Sequence, residues 1–188
     1  MKSIPKNAAL ILIDIQQGFD EPGWGPRNNA GAEANAAKLL GAWRSSGRPL
    51  FHVQHRSITP GSPLRPGQAG CDHKPEVKPL PGEPVIGKSV NSAFIGTDLE
   101  ARLRAAGIGT LVMAGLTTMH CVSTTARMAG NLGFDTFVAA DACAAHDQTG
   151  YDGKHYAAQT VHELALANLH GEFAEVADTA AILKALQA

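Results

Sequence analysis

The stretch Leu111-Val-Met-Ala-Gly-Leu-Thr-Thr-Met-His-Cys-Val-Ser-Thr-Thr-Ala-Arg127 decides how the rest of the chain is read. Its apolar run breaks at Gly115 and resumes with helical spacing, so a buried strand passes through a turn into a helix. Cys121 falls in the first turn of that helix. Unpaired backbone N–H groups and the positive end of the helix macrodipole gather there. That setting predicts a thiolate, with a pKa well below about 8.5, and a place to receive an oxyanion. The competing reading is a buried cysteine that packs as a small inert hydrophobe.

The same strand-to-helix unit recurs on both sides. Ala8 to Ile15 is a continuous apolar run interrupted only by Asp14, the pattern of a strand buried on both faces. A Gly, Pro and Asn-rich loop from Gly18 to Asn29 leads to a helix over Gly31 to Ser46. Pro49 to Val53 reads as the second strand and Glu83 to Lys88 as the third, followed by a helix from Ala93 to Ala106. Thr110 to Ala114 is the fourth strand, Thr118 to Asn131 its helix, and Asp135 to Ala140 the fifth strand. Beyond a polar loop, Asp141 to Gly153, come a long helix (Lys154 to Leu169), a last strand (Glu172 to Val176) and a closing helix from Asp178 to Leu186, capped by Asp178. This alternation predicts an α/β fold: a single Rossmann-like, doubly wound domain over residues 1–188, with about six parallel strands flanked by helices.

Composition narrows the partners. The net charge is −1 without a Lys/Arg run, which disfavours nucleic acid and anionic membrane surfaces and favours a small-molecule ligand. No window approaches the about 18 apolar residues that span a bilayer, so the chain reads as soluble and untargeted. Cys71, Cys121 and Cys143 are odd in number and lack CxxC spacing, which argues against a disulfide framework or zinc knuckle and for a reducing, cytoplasmic compartment. Gly23-Trp-Gly25 lacks the third glycine of a dinucleotide fingerprint, since Asn28 stands there, and His162-Glu163 lacks a zincin's second histidine, since Leu166 occupies it.

Ser57 to Pro84 holds seven of the eleven prolines and reads as a long loop that lids the site, lines it or contacts another subunit. His52, His55, Cys71, Asp72 and His73 lie in or beside it with no zinc-ligand spacing, and the histidines read as surface loop residues. The decisive pattern is elsewhere. In doubly wound sheets ligands bind beyond the carboxyl ends of the strands, where the strand order reverses. Asp14, Lys88 and the turn leading to Cys121 follow the first, third and fourth strands, so all three are predicted to converge at that edge.

Four segments carry a family resemblance: Leu12-Ile-Asp-Ile-Gln-Gln-Gly-Phe19, Ile86-Gly-Lys-Ser-Val-Asn-Ser-Ala-Phe94, Ala114-Gly-Leu-Thr-Thr-Met-His-Cys-Val122 and Val138-Ala-Ala-Asp-Ala142. In order and spacing they resemble the isochorismatase-like cysteine hydrolase superfamily, which includes nicotinamidases, N-carbamoylsarcosine amidases and isochorismatase. The resemblance implies Cys121 as nucleophile, Asp14 as proton shuttle and Lys88 as the cation that orients both. It also implies a cis peptide at Leu116-Thr117, with the N–H groups of Thr117 and Cys121 as the oxyanion hole, and it implies a homo-oligomer. Zinc-binding nicotinamidases carry an Asp-x-His pair after the second strand. Gln54-His-Arg-Ser57 stands there instead, so neither a metal nor another cofactor is expected. Phe19, Trp24, Asn91, Phe94 and the long loop are the expected pocket walls.

Three functions follow as expectations. The first is thioester-forming hydrolysis of a C–N bond in a small amide or lactam. The second is isochorismatase-type vinyl ether hydrolysis with Asp14 as acid, which does not need the thiol. The third is a non-catalytic binding or assembly module whose thiol is structural.

Overall fold

In the computed structural model, which describes residues 3–187, six strands form one sheet and each runs parallel to its neighbours. They are β1 (Ala9–Ile13), β2 (Leu50–His55), β3 (Val85–Lys88), β4 (Thr110–Leu116), β5 (Asp135–Ala144) and, beyond a two-residue antiparallel ribbon of β6 (Gln148–Thr149) and β7 (His155–Tyr156), β8 (Glu175–Ala177). The order across the sheet is β3-β2-β1-β4-β5-β8. The strand order therefore reverses between β1 and β4, whose residues pair from Ala9 with Leu111 to Ile13 with Gly115.

Alternation along the central strands builds two cores. Ala9, Ile11 and Ile13 of β1 and Leu111 and Met113 of β4 face one side, with Leu103 of α2 (Leu99–Ala105), Ala126 of α3 (Ser123–Asn131) and Leu166 of α4 (Ala158–Ala167). Leu10, Leu12, Val112 and Ala114 face the other, with Leu39 and Trp43 of α1 (Ala32–Ser46) and Ile182 of α5 (Thr179–Ala185). Both faces are thus covered, which is why these strands read as unbroken apolar runs. The Trp43 indole N–H is buried and satisfied by the Ala8 carbonyl at 3.0 Å.

Several element boundaries differ from expectation, each through local side-chain chemistry. The helix expected from Ala93 begins only at Leu99. Ser92 Oγ accepts from the Phe94 N–H, the Thr97 hydroxyl donates to the Ala93 carbonyl at 2.6 Å, and Gly96 turns the backbone at φ +70°; such local bonds compete with the helical ladder. The helix expected from Lys154 begins at Ala158, where Asp147 Oδ1 accepts from the Ala158 N–H at 2.7 Å. Asp178 precedes α5 without capping it through its side chain. Asp141 does this instead, accepting from both the N–H and the hydroxyl of Thr179 at 2.7 Å. Strand β5 runs four residues beyond Ala140, and a register shift opposite Met113 and Gly115 brings Cys143 beside Gly115.

The long loop is folded back onto the sheet edge. Its backbone bridges at Lys74 N to Ile15 O and at Gln17 N to Asp72 O, both 2.9 Å. Buried Lys74 adds charge pairing, donating to Glu33 Oε1 at 2.6 Å and Asp20 Oδ1 at 2.5 Å, while Arg27 holds both Glu33 oxygens at 2.6 Å.

Candidate active site

Three strand ends and one turn assemble the site. Asp14 directly follows β1 and sits in the left-handed region at φ 50°, a conformation aspartate tolerates better than most residues but that still costs about 1–3 kcal/mol. Its N–H is held by the Val53 carbonyl at 3.0 Å. Lys88 ends β3 and His55 ends β2, directly opposite it in register. Cys121 lies in a π-turn, Thr118–Val122, ahead of α3, so it precedes the regular helix by two residues rather than standing in its first turn.

The Lys88 ammonium is the hub. It lies 2.6 Å from Asp14 Oδ2, 3.3 Å from Cys121 Sγ and 3.0 Å from His55 Nδ1. An ammonium has protons and no lone pair, so it donates to His55 Nδ1 and Cys121 Sγ and pairs by charge with Asp14. Asp14 and Lys88 side chains are fully buried. An Asp14 oxygen, a His55 ring nitrogen and Cys121 Sγ lie within 4.8 Å of one another, a donor set that suits a soft divalent metal. Here the cation those donors share is the Lys88 ammonium, and a metal ion would have to displace it.

The electrostatics differ from those of a helix-start thiolate. Burial, then the Asp14 charge, push the Cys121 thiol up to about 12, with Lys88 pulling the other way. Burial also raises the Asp14 carboxyl against the opposing pull of Lys88. A buried cluster with one fixed cation holds one anion most cheaply, so Asp14 is the carboxylate and Cys121 rests as a thiol.

Beside the thiol opens a cavity of about 210 Å³. Phe19, Trp24 and Leu64 supply apolar lining; His55, Asn91, His120, Thr117 and Cys121 supply the rest. Phe19, Trp24 and Asn91 are therefore brought to the cavity, and the long loop reaches it through Leu64. Phe94 is not: its ring stacks on Phe134, with centroids 5.8 Å apart. The Leu116-Thr117 peptide is cis. Gly115 before it has φ +143°, and a Cβ there would collide with the Ile13 carbonyl; the close pairing of β1 with β4 at this point needs glycine.

His55, Leu64 and His120 were not singled out as wall residues by sequence, and the histidines near the long loop are not surface residues. His52 is fully buried, 2.9 Å from Glu83 and edge-on to the His73 ring. His55 is held by Gln16, whose Oε1 accepts from the His55 N–H at 2.8 Å and whose Nε2 donates to the His55 carbonyl at 3.0 Å. The signal for His55 was its place at a strand's carboxyl end, as for Lys88.

The isochorismatase domain model matches residues 8–181. The chain belongs to the isochorismatase family. An isochorismatase family protein of Bacillus subtilis, YrdC, is 48% identical over 171 residues, covering 91% of each chain. A solved isochorismatase-family structure from Chromobacterium violaceum is 51% identical, superposes with a TM-score of 0.97 and covers 100% of this chain and 97% of that one. Maleamate amidohydrolase of Pseudomonas putida is 33% identical over 156 residues, covering 71% of this chain and 70% of its own. Among the described residues no helix is long and apolar enough to cross a membrane.

Proposed function

We propose that this isochorismatase-family hydrolase cleaves a C–N bond of a small amide, with Cys121 as nucleophile. The observation that carries the reading is the buried Asp14–Lys88–Cys121 contact, 2.6 and 3.3 Å about one ammonium, beside a small cavity. Similarity to maleamate amidohydrolase supports the bond class.

Burial and the facing Asp14 carboxylate, which raise the thiol pKa, favour proton transfer during attack over a preformed thiolate. As Sγ bonds to the carbonyl carbon, its proton passes to Asp14 and the carbonyl electrons move to oxygen, which the N–H groups of Thr117 and Cys121 receive. Collapse breaks the C–N bond, and Asp14 gives its proton to the departing nitrogen, leaving a thioester. Water then attacks, losing a proton to Asp14; the C–S bond breaks, the acid leaves and Sγ takes the proton back. Lys88 keeps Asp14 ionised and its oxygen near Sγ.

A hydrolysis panel of small amides, lactams and isochorismate on the wild type, Cys121→Ala and Asp14→Asn tests this. Loss of amide turnover in both variants is expected. Full turnover in Cys121→Ala overturns the reading, and turnover of isochorismate that survives Cys121→Ala but not Asp14→Asn replaces it with vinyl ether hydrolysis.

A further inference from the structure

The cavity beside Cys121 is lined by uncharged side chains, and this limits which amides it accepts. Trp24 gives its indole N–H to the Gly18 carbonyl at 2.8 Å and lies against Phe19 with ring centroids 5.2 Å apart. With Leu64, this wall offers apolar surface alone. The other lining residues include His55, Asn91 and His120. His55 accepts at Nδ1 from an ammonium that can only donate, so its imidazole is neutral with the proton on Nε2. Burial, then the Lys88 charge, lower its pKa to about 4, and partial burial lowers that of His120. Lys88 itself donates to His55 and Cys121, and its charge is balanced by Asp14 at 2.6 Å.

A carboxylate entering this space would give up its water and meet no free cation among the described lining residues, the costly case of an unpaired charge removed from solvent. An uncharged amide gives up less and finds donors and acceptors in His55 and Asn91. The volume, about 210 Å³, lies below the about 300–1,000 Å³ that drug-sized ligands occupy. We infer that the site binds a small uncharged amide with an apolar body and discriminates against the same molecule carrying a carboxylate. What is bound follows from the lining; that it is then hydrolysed rests on the function proposed above.

The probes are benzamide, maleamide and maleamate, the last two alike in shape and different in charge. Dissociation constants are measured on Cys121→Ala by ligand-observed NMR, and turnover on the wild type. Both neutral amides should bind, with maleamate weaker than maleamide by about tenfold or more. Asn91→Arg, at an exposed position of the cavity rim, should narrow that gap to less than about threefold by supplying the missing cation. Maleamate binding as tightly as maleamide, or no binding of either neutral amide, overturns the inference. Binding of benzamide and maleamide without hydrolysis by the wild type would instead count against the hydrolytic reading and leave the charge preference standing.

Discussion

Lys88 and His55 are register partners at the carboxyl ends of adjacent parallel strands, and the Lys88 ammonium donates to His55 Nδ1 at 3.0 Å. Gln16 holds the His55 backbone through both its N–H and its carbonyl, so the imidazole is a fixed acceptor that keeps the ammonium between Asp14 and Cys121. His55→Leu leaves one buried N–H without a partner and lets Lys88 move. On an amide turned over in the panel, kcat is expected to fall by about 10–100-fold, with a smaller change in KM. His55→Asn, which restores an acceptor, should recover part of the loss. An unchanged kcat in His55→Leu removes His55 from this positioning role.

The buried Asp14–Lys88 pair couples stability to the site. Removing one partner strands the other charge, so Lys88→Met is expected to cost about 3–5 kcal/mol in urea denaturation. Lys88→Met combined with Asp14→Asn should cost less than the two single changes added together, because no charge is left unpaired. Strict additivity would mean that the two side chains do not interact in the folded protein.

How much of this was readable from the chain follows a physical line. The apolar runs of β1 and β4 are buried on both faces, so the parallel sheet and its helices were legible, and with them the carboxyl edge where Asp14, Lys88 and the turn to Cys121 meet. His55 obeys the same strand-end rule, but it borders a proline-rich loop and was read as part of it. Leu64 reaches the cavity only because that loop folds back, through backbone bonds such as Ser57 N to Leu64 O, which leave no mark on hydropathy. Helix starts at Ala158 and Thr179 are capped by Asp147 and Asp141 from distant segments, a tertiary effect that local pattern cannot carry. Helix-end electrostatics favours a thiolate at Cys121, whereas burial and the facing Asp14 carboxylate push the thiol pKa up, a tertiary effect with no local sequence signal.

Among the described glycines, Gly115 leaves the least room for a Cβ. Gly115→Ala must both hold φ near +143° and push aside the Ile13 carbonyl next to Asp14. A loss of at least about 2 kcal/mol in chemical denaturation is expected. Gly133→Ala, at a positive φ with open space around it, is the comparison and should cost only about 1 kcal/mol. Equal effects at the two positions would show that the contact with Ile13 is unimportant.

Acid should unfasten the long loop. Burial pushes the Glu33 carboxyl up, but hydrogen bonds from Arg27 and Lys74 and the Arg27 charge more than reverse this, and its pKa falls from 4.5 to about 2. The folded value lies below the unfolded one, so the unfolded chain takes up the proton first as pH drops. Glu33 therefore contributes stability that is present above about pH 4.5 and is lost as pH falls toward 2. Denaturation midpoints measured across that window should decline, and the decline should be shallower in Glu33→Gln. An identical slope in the variant would assign the acid sensitivity to other carboxyls.

Asp14→Asn should separate two properties of Cys121 that usually move together. In the resting site the Asp14 charge helps hold the thiol up near 12. Iodoacetamide labelling of the wild type is therefore expected to rise with pH straight through about 8.5, the ordinary cysteine value, without a plateau. Asn at position 14 removes the negative neighbour and leaves the Lys88 cation 3.3 Å from Sγ, so the thiol pKa falls and labelling at neutral pH becomes faster. Amide turnover should fall in the same variant by about 10²–10⁴-fold, because the group that relays the proton is gone. Peptide mapping identifies the labelled cysteine, and Cys121→Ala gives the background from Cys71 and Cys143, both buried. A wild-type labelling profile that levels off below about pH 8 would show a thiolate already formed in the free enzyme, and Asp14 would then have no proton to take from Cys121 at the first step.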